Sequence, residues 1–185
     1  MTQLNKVNNA AYQTTITINA SAIKQALWYL VNVFFFKNPI NISSGIKVAL
    51  LKMFGATVGN GVVIKPSVNI KYPWKLTIGD HSWIGEEVWI DNLANVTIGN
   101  NVCISQGALL LCGNHNYKKQ TFDLILGEII LEDGVWIGAR SIVCPGVKCS
   151  THAVLSVSSI ASSDLASYTI YRGNPAVAIK TRNIE

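Results

Sequence analysis

The sequence predicts an all-β protein, a parallel β-helix of stacked three-sided coils. From Val58 onward a branched aliphatic residue recurs at every sixth position, and the nearly identical stretches LTIGD and VTIGN stand 20 residues apart. A period of six matches neither the 3.6-residue repeat of a helix nor the two-residue repeat of a long strand. Three six-residue sides and two extra residues therefore make one coil, whose aliphatic side chains turn inward and stack on those of the next coil. Before the interruption these positions are Val58, Ile64, Ile70, Leu76, Ile78, Ile84, Ile90, Val96, Ile98, Ile104 and Leu110.

The chain is expected to form one domain with additions at both ends. Its 185 residues suffice for one sizeable core. We predict a helical capping segment over residues 1–55, a β-helix over 56–166 and a tail over 167–185. After the interruption the aliphatic series resumes at Leu131, Ile137, Val143, Cys149, Leu155 and Ala161.

The capping segment contains two apolar runs. The first, residues 26–36, is 11 residues long and includes Asn32, so it falls short of the roughly 17 to 25 residues of a membrane span. It also starts late and lacks a small-residue cleavage site, which argues against a secretory signal. In the second run one helix face carries residues spaced by four, namely Ile42, Ile46, Leu50 and Phe54.

Two interpretations of these helices remain open. In the first they cover the exposed edge of the first coil, which would otherwise pair with other strands. In the second they make peripheral contact with the inner surface of the cytoplasmic membrane. Insertion would then use Trp28, Tyr29 and the three phenylalanines that follow, flanked by Lys24 and Lys37.

Composition narrows the class of protein. Apolar residues make up 49% of the chain and charged residues 14%, which indicates a surface partly covered by other subunits. The net charge of +5 is modest and the cations are scattered, so nucleic acid is not an expected partner. The four cysteines have no zinc-type spacing and occupy packing positions of the repeats. We therefore expect reduced thiols, no metal site and a cytoplasmic location.

The repeats are interrupted once. From Ile98 to Leu131 the chain has 33 residues where a coil takes 20, so an extruded loop is expected at about residues 112–129. The loop contains His115 between two asparagines and a second apolar patch, FDLIL. An apolar patch on a protruding loop predicts packing against a neighbouring subunit.

The repeats IGEEVW, IGNNVC and IGARSI resemble those of the hexapeptide-repeat acyltransferases. That resemblance implies a left-handed parallel β-helix of hexapeptide repeats that assembles as a homotrimer. The stretches YPWKLTIGDHSWIGEEVWIDNLANVTIGNNVCISQGALL, TFDLI and GNPA are most similar to the colanic acid biosynthesis acetyltransferases, a group tied to bacterial surface polysaccharides. The likeness runs from about Ala26 to Lys180. It implies transfer of acetyl from acetyl-CoA to a sugar hydroxyl, with no metal.

The resemblance also implies the site residues. His115 matches the family's general base, a role that suits an imidazole at neutral pH. The family often carries aspartate next, whereas this chain has Asn116, so either a backbone carbonyl or Glu87 is expected to orient the ring. The family's sugar-contacting positions match Asp91 and Asn92, with the alternative that this pair simply forms a turn.

Coenzyme A is expected to lie in a groove between two prisms. The matching positions are Trp136 and Ala139 near the thioester, with the Ala139 amide as oxyanion donor, and Val157 and Ser162 along the pantetheine arm. Lys180, and with it Arg182, match basic residues near the phosphates. The stretch CSTHAVLSVSSI carries serines where the family has glycines, which predicts a less regular last coil.

Several other functions are less well supported. The three histidines, His81, His115 and His152, would be compatible in number with a γ-class carbonic anhydrase. The zinc site of that class needs two histidines about five residues apart, and no two of these are that close. Serine acetyltransferases carry a large helical amino-terminal domain that has no counterpart here. A non-catalytic β-helix scaffold remains open, as does an acetyltransferase for another small acceptor such as maltose, a galactoside or an antibiotic.

Overall fold

Short strands stack into five three-sided coils in this computed structural model, which describes residues 6–14 and 16–185. The strands of the five coils form one parallel sheet on each side of the prism, and the predicted β-helix of repeats is confirmed. Sheet A contains β1 (Thr57–Val58), β4 (Leu76–Ile78), β7 (Val96–Ile98), β12 (Ile129–Leu131) and β15 (Lys148–Cys149). Sheet B contains β2 (Val63–Ile64), β5 (Trp83–Ile84), β8 (Cys103–Ile104), β13 (Trp136–Ile137), β16 (Val154–Leu155) and the terminal strands β18 (Thr169–Gly173) and β19 (Ala176–Thr181). Sheet C contains β3 (Asn69–Ile70), β6 (Trp89–Asp91), β9 (Leu109–Leu111), β14 (Ile142–Val143) and β17 (Ile160–Ala161).

The core is the stack of inward side chains that the repeat predicts. On sheet B, Ile64, Ile84 and Ile104 pair in register and are each 0% exposed. Full burial of such a side chain contributes roughly 1.5–3 kcal/mol, so each rung stabilises the next. The remaining coils continue this column with Ile137 and Leu155.

A polar ladder runs along the corner between sheets A and B. The Asp80 carboxylate accepts from the Asn60 amide at 2.7 Å, and the Asn100 side chain accepts from the Asp80 amide at 2.8 Å. Close approach of the coils here requires glycine, because a Cβ on Gly79 would lie 2.6 Å from Asn100 Oδ1. This explains the glycine that follows the aliphatic position in IGD and IGN.

Two helices cover the open edge of the first coil. α1 (Ala22–Val31) begins at Ser21, whose side chain accepts from the Lys24 amide, and it continues into a π-helical turn over Asn32–Phe36. α2 (Ser44–Met53) begins at Ser43. The free Ile70 carbonyl of the edge accepts from Trp28 Nε1 at 2.9 Å. Buried Lys47 donates to the Ile64 and Lys65 carbonyls at 3.3 and 2.8 Å.

These contacts correct two details predicted for the helices. Trp28 is 2% exposed and Phe36 is 0% exposed, so their insertion into a membrane is wrong. Ile42 is 79% exposed whereas Leu50 packs against the core, so these residues do not share one buried face. Between residues 6 and 185, Thr15 aside, no helix is long and apolar enough to cross a membrane.

The chain leaves the third coil after β9 and forms a protruding hairpin. We call residues 112–128 the extruded hairpin; its antiparallel strands are β10 (Gly113–His115) and β11 (Leu124–Leu126). An N-terminal arm, residues 6–14 and 16–20, lies over this hairpin and beside the prism. The Asn8 amide donates to the Gln120 carbonyl at 2.8 Å, and Trp74 Nε1 donates to the Ile18 carbonyl at 2.6 Å.

The C-terminal end stays regular despite its serines. Ser158 adopts a φ of 55°, the conformation for which the family uses glycine, and the buried Ser159 hydroxyl accepts from the Gly173 amide at 2.9 Å. The predicted irregularity of the last coil is therefore wrong. The tail folds back as β18 and β19, and β18 adds a parallel strand to β16.

Candidate active site

His115 is held by the loop that connects the two strands of the extruded hairpin. Its Nδ1 lies 2.9 Å from the Phe122 carbonyl oxygen. A carbonyl can only accept, so Nδ1 carries the hydrogen in the neutral ring and Nε2 is left with a free lone pair. This backbone carbonyl takes the orienting position that sequence analysis left open between a carbonyl and Glu87.

Phe122 contacts the imidazole a second time through its ring. The two rings are stacked with centroids 4.4 Å apart and an interplanar angle of 5°. Phe122 has a φ of 51°, uncommon for a bulky residue, and this conformation presents carbonyl and ring to the same histidine. Next to it, hydrogen bonds from Thr121 and Lys119 lower the pKa of Asp123, whose carboxylate pairs with Lys119 at 3.0 Å.

The N-terminal arm forms the opposite wall of a small cavity at His115. Asn9, Tyr12, His115 and Phe122 line a space of about 250 Å³. The Tyr12 ring centroid lies 5.9 Å from that of His115, at an interplanar angle of 51°. Asn9, Tyr12 and Phe122 were not predicted from the sequence, because nothing in the repeat pattern indicates that the arm returns to residue 115.

A larger cavity of about 650 Å³ lies along sheet B and the corner between sheets B and C. Four residues that sequence analysis assigned to the coenzyme A groove line it together: Trp136, Ala139, Val157 and Arg182. Apolar residues such as Val157 and Ile170 line it, and the Arg182 guanidinium donates to the Gly134 and His152 carbonyls. The Ala139 amide donates to no acceptor within the part of the chain that the structure describes.

Two predicted coenzyme A contacts lie outside this cavity. Ser162 is exposed beyond β17, at the corner between sheets C and A. Lys180 is exposed on β19, in register with Ile170 on β18, but it does not line the cavity.

The predicted acceptor residues occupy different environments. Asn92 is 0% exposed, and its side chain bonds both the amide and the carbonyl of Tyr72. Asp91 is 7% exposed and pairs with Lys71 at 2.8 Å. Glu87 is exposed with a φ of 59° at the corner between sheets B and C. The extruded hairpin leaves the corner between sheets C and A, so Glu87 and His115 lie at different corners.

The two cavities share no residue and lie on different sides of one prism. His115 follows sheet C, whereas the large cavity follows sheet B. A single chain therefore holds the imidazole and the groove apart.

The histidines and cysteines of the described residues do not form a metal-binding cluster. Over residues 6–14 and 16–185 no three His, Cys, Asp or Glu side chains are grouped as metal ligands. Cys112 begins the extruded hairpin and is buried; burial raises the pKa of its thiol to about 11. Burial likewise raises the pKa of Cys149 to about 12. Both thiols are protonated at neutral pH and are poor nucleophiles.

Comparison with known proteins gives consistent relatives, although no protein-family model matches the chain. The protein named "Putative colanic acid biosynthesis acetyltransferase WcaF" from Escherichia coli (strain K12) is 37% identical over 162 residues, covering 88% of this chain and 89% of the relative. Galactoside O-acetyltransferase from the same organism is 28% identical and covers 73% of this chain and 68% of its own length.

Solved structures show the same fold. A hexapeptide-repeat containing acetyltransferase from Vibrio cholerae, crystallised with acetyl coenzyme A, superposes with a TM-score of 0.78 at 22% identity and covers 90% of this chain and 92% of its own. Galactoside acetyltransferase in complex with coenzyme A superposes with a TM-score of 0.75, also at 22% identity, over 87% of this chain and 82% of its own. The repeats, the coils and the relative at 37% identity agree: the chain belongs to the hexapeptide-repeat acetyltransferases, in the group of the colanic acid biosynthesis acetyltransferases.

Proposed function

We propose that this protein transfers acetyl from acetyl-CoA to a sugar hydroxyl in the biosynthesis of a bacterial surface polysaccharide. The observation that carries the chemistry is the hydrogen bond from His115 Nδ1 to the Phe122 carbonyl, which leaves Nε2 free as a base. The relative named for colanic acid biosynthesis supports the pathway, and the galactoside O-acetyltransferase supports a sugar hydroxyl as acceptor.

In this mechanism His115 Nε2 takes the proton of the acceptor hydroxyl as its oxygen attacks the thioester carbonyl. Negative charge then develops on the carbonyl oxygen, and the free Ala139 amide in the groove is a suitable donor to it. Collapse of the tetrahedral species releases the thiolate of coenzyme A, which the imidazolium reprotonates. The proton lost by the hydroxyl thus leaves with the thiol.

Transfer is direct, without an acetyl-enzyme. A covalent route needs an activated side-chain nucleophile beside His115, and burial raises the pKa of Cys112, the cysteine nearest to it in sequence, to about 11. The hydroxyl of the acceptor is therefore the nucleophile.

The large cavity suits the arm of coenzyme A. Its apolar walls match a pantetheine chain, with Trp136 and Ala139 at one end and Val157 along it. Arg182 has guanidinium donors beyond the two carbonyls that it bonds, and these suit a phosphate. Ser162 and Lys180 remain predictions; their positions suit contacts with a ligand that extends beyond the cavity.

The active unit is a homotrimer. Because the imidazole and the groove lie on different sides of one prism, a complete site requires the extruded hairpin of one subunit to reach the groove of its neighbour. The exposed Ile125 and Leu126 on that hairpin provide an apolar surface for this contact.

We assign the acceptor to the small cavity at His115. Tyr12 offers a ring on which a sugar can stack and Asn9 offers an amide for its hydroxyl groups. Glu87 and Asp91 stay proposed acceptor contacts from the wall of the neighbouring prism, whereas the side-chain amide of Asn92 is already hydrogen-bonded to the Tyr72 backbone.

Dependence on acetyl-CoA, together with free cysteines, supports a cytoplasmic location.

The test is thiol release from acetyl-CoA with purified protein and a panel of nucleotide sugars and glycans. His115→Ala should lower turnover about 10²- to 10⁴-fold, the range for a lost general base. His81→Asn is the matched control, because His81 has a φ of 56° that asparagine tolerates and it lies at a different corner.

Both variants should remain trimers in analytical ultracentrifugation. Full turnover in His115→Ala would exclude this histidine as the base. Binding of acetyl-CoA without turnover on any acceptor of the panel would favour a small-molecule acceptor outside it. Absence of acetyl-CoA binding would favour a non-catalytic scaffold.

A further inference from the structure

The two capping helices each expose an apolar stripe with the same spacing. On α1 and the turn after it, Ile23, Leu27, Leu30 and Phe34 are 73%, 52%, 51% and 64% exposed. On α2 and the residues before it, Ile42, Ile46, Ala49 and Met53 follow the same steps of four, three and four, and all are exposed. Within α1 and α2 themselves, these steps place Ile23, Leu27 and Leu30 on one side of the first helix and Ile46, Ala49 and Met53 on one side of the second.

The stripes lie away from the sides of the helices that hold the prism. The opposite sides of the two helices contact the first coil or its core. On the α1 side these contacts are made by Trp28 and Asn32. On α2 they are made by Ser44, Lys47 and Leu51. At 100° per residue the exposed positions of α2 lie nearly opposite these anchors. The apolar side chains are therefore not needed to fix the helices on the coil.

Charge is distributed unequally along the chain. The first 79 residues contain eight lysines and no acidic residue, and all ten acidic residues lie from Asp80 onward. Within the described part of the chain, exposed Lys37, Lys52 and Lys65 form no salt bridge. A helix pair with outward apolar stripes and only cations around them has the composition of an interfacial membrane anchor.

We propose that this end of the prism docks on the surface of an anionic lipid bilayer. The stripes enter the boundary between headgroups and acyl chains, while Lys37, Lys52 and Lys65 approach the lipid phosphates. Charge complementarity favours this occupant over a second copy of the same face, since two such faces would bring only lysines together.

Docking in this orientation also suggests a lipid-linked acceptor, an inference that rests on the proposed function. The extruded hairpin leaves the third coil, two coil spacings from the capped edge, or about 10 Å. In a trimer with parallel prisms the three caps face the same way, so one membrane contact reinforces the next. The acetylation site would then stand just above the headgroups, where a lipid-linked glycan presents its hydroxyl groups.

The test is cosedimentation of the full-length protein with vesicles. One set contains phosphatidylcholine alone, and the other contains phosphatidylcholine with one third phosphatidylglycerol. We expect binding to the anionic vesicles, weakened by 0.5 M NaCl, and little binding to the neutral ones.

Two pairs of variants separate the contributions. Leu27→Ser with Leu30→Ser should lower partitioning at least about tenfold through lost apolar burial. Lys37→Gln with Lys52→Gln should lower it about 25-fold, or fivefold for each lysine. The control pair, Val177→Ser with Ile179→Ser, removes equally exposed apolar residues from β19 and should bind as the unchanged protein does.

Three results would overturn the proposal. One is absence of binding to anionic vesicles by an intact trimer, and another is equal binding to both lipid compositions. The third is a change of oligomeric state in the Leu27/Leu30 variant, which would make the stripes an interface between copies. Turnover on a soluble acceptor is measured in parallel, so loss of membrane binding with retained turnover refutes the docking site and leaves the enzyme activity standing.

Discussion

Replacing Phe122 by asparagine separates what its ring does for His115 from what its carbonyl does. Asparagine adopts a positive φ readily, so the backbone and the carbonyl at 2.9 Å from Nδ1 stay in place. The stacked ring at 4.4 Å is lost. The variant therefore keeps the tautomer of His115 and releases one face of its imidazole.

The expected magnitude follows from the stacking geometry. An aromatic pair of this kind contributes about 0.5–1.5 kcal/mol beyond its burial. If all of it holds the imidazole in its reactive orientation, kcat falls about 2- to 13-fold, less than on loss of the histidine itself. The KM for acetyl-CoA should not change, because the groove lies on another side of the prism.

The assay is steady-state thiol release, with Phe122→Tyr as the rescue variant that restores the ring. Tyr168→Asn is a control for folding, since Tyr168 also has a positive φ, of 50°, and stacks on a histidine, His152, at 4.8 Å. Both asparagine variants should show similar changes in Tm, but only Phe122→Asn should lower kcat. Unchanged kcat in Phe122→Asn, or a rise in KM for acetyl-CoA alone, would refute the positioning role.

Three further predictions concern the core, the thiols and pH. Lys47→Met leaves two edge carbonyls without their donor. It should lower the free energy of unfolding by about 2–4 kcal/mol and Tm by about 5–12 °C. The control Lys52→Met, on the exposed side of the helix, should change the free energy of unfolding by less than about 0.5 kcal/mol. Cys112→Ala should keep turnover within about twofold, and a large loss would revive an acetyl-cysteine route. A hydrogen bond from Lys148 lowers the pKa of Glu132, so its carboxylate stabilises the fold above the unfolded pKa of about 4.3 and loses this effect as pH falls below it. Glu132→Gln should therefore lower stability at pH 7 by less than about 1 kcal/mol, and the difference in urea unfolding should shrink as pH falls below about 4.3 and through the lowered folded pKa.

The coils could be predicted because their contacts repeat locally. Each residue meets its partner about one coil away, as Thr57 meets Thr77 and Trp83 meets Cys103, so a periodic aliphatic pattern determines the register. The position of His115 follows from the same frame, since a loop must begin where the pattern stops. The cavity residues Trp136, Ala139 and Val157 required the resemblance, because nothing in the period marks one side of the prism as a groove.

The parts that could not be predicted depend on contacts without a period. Tyr12 reaches His115 through an arm whose sequence carries no signal for that docking. A lysine in a helix is expected to be exposed, yet Lys47 is buried because its ammonium group donates to carbonyls at the edge of the first coil. Ser158 differs from the family's glycine in sequence but adopts the positive φ for which glycine is used.

The N-terminal arm has a consequence for the order of folding. Coils can form one after another, because each needs only the twenty or so residues before it. The Asn8 amide instead bonds the Gln120 carbonyl, so that contact closes only after the first three coils and the hairpin exist. The pocket around His115 is thus completed late, and a newly made chain acquires its scaffold before it acquires its chemistry.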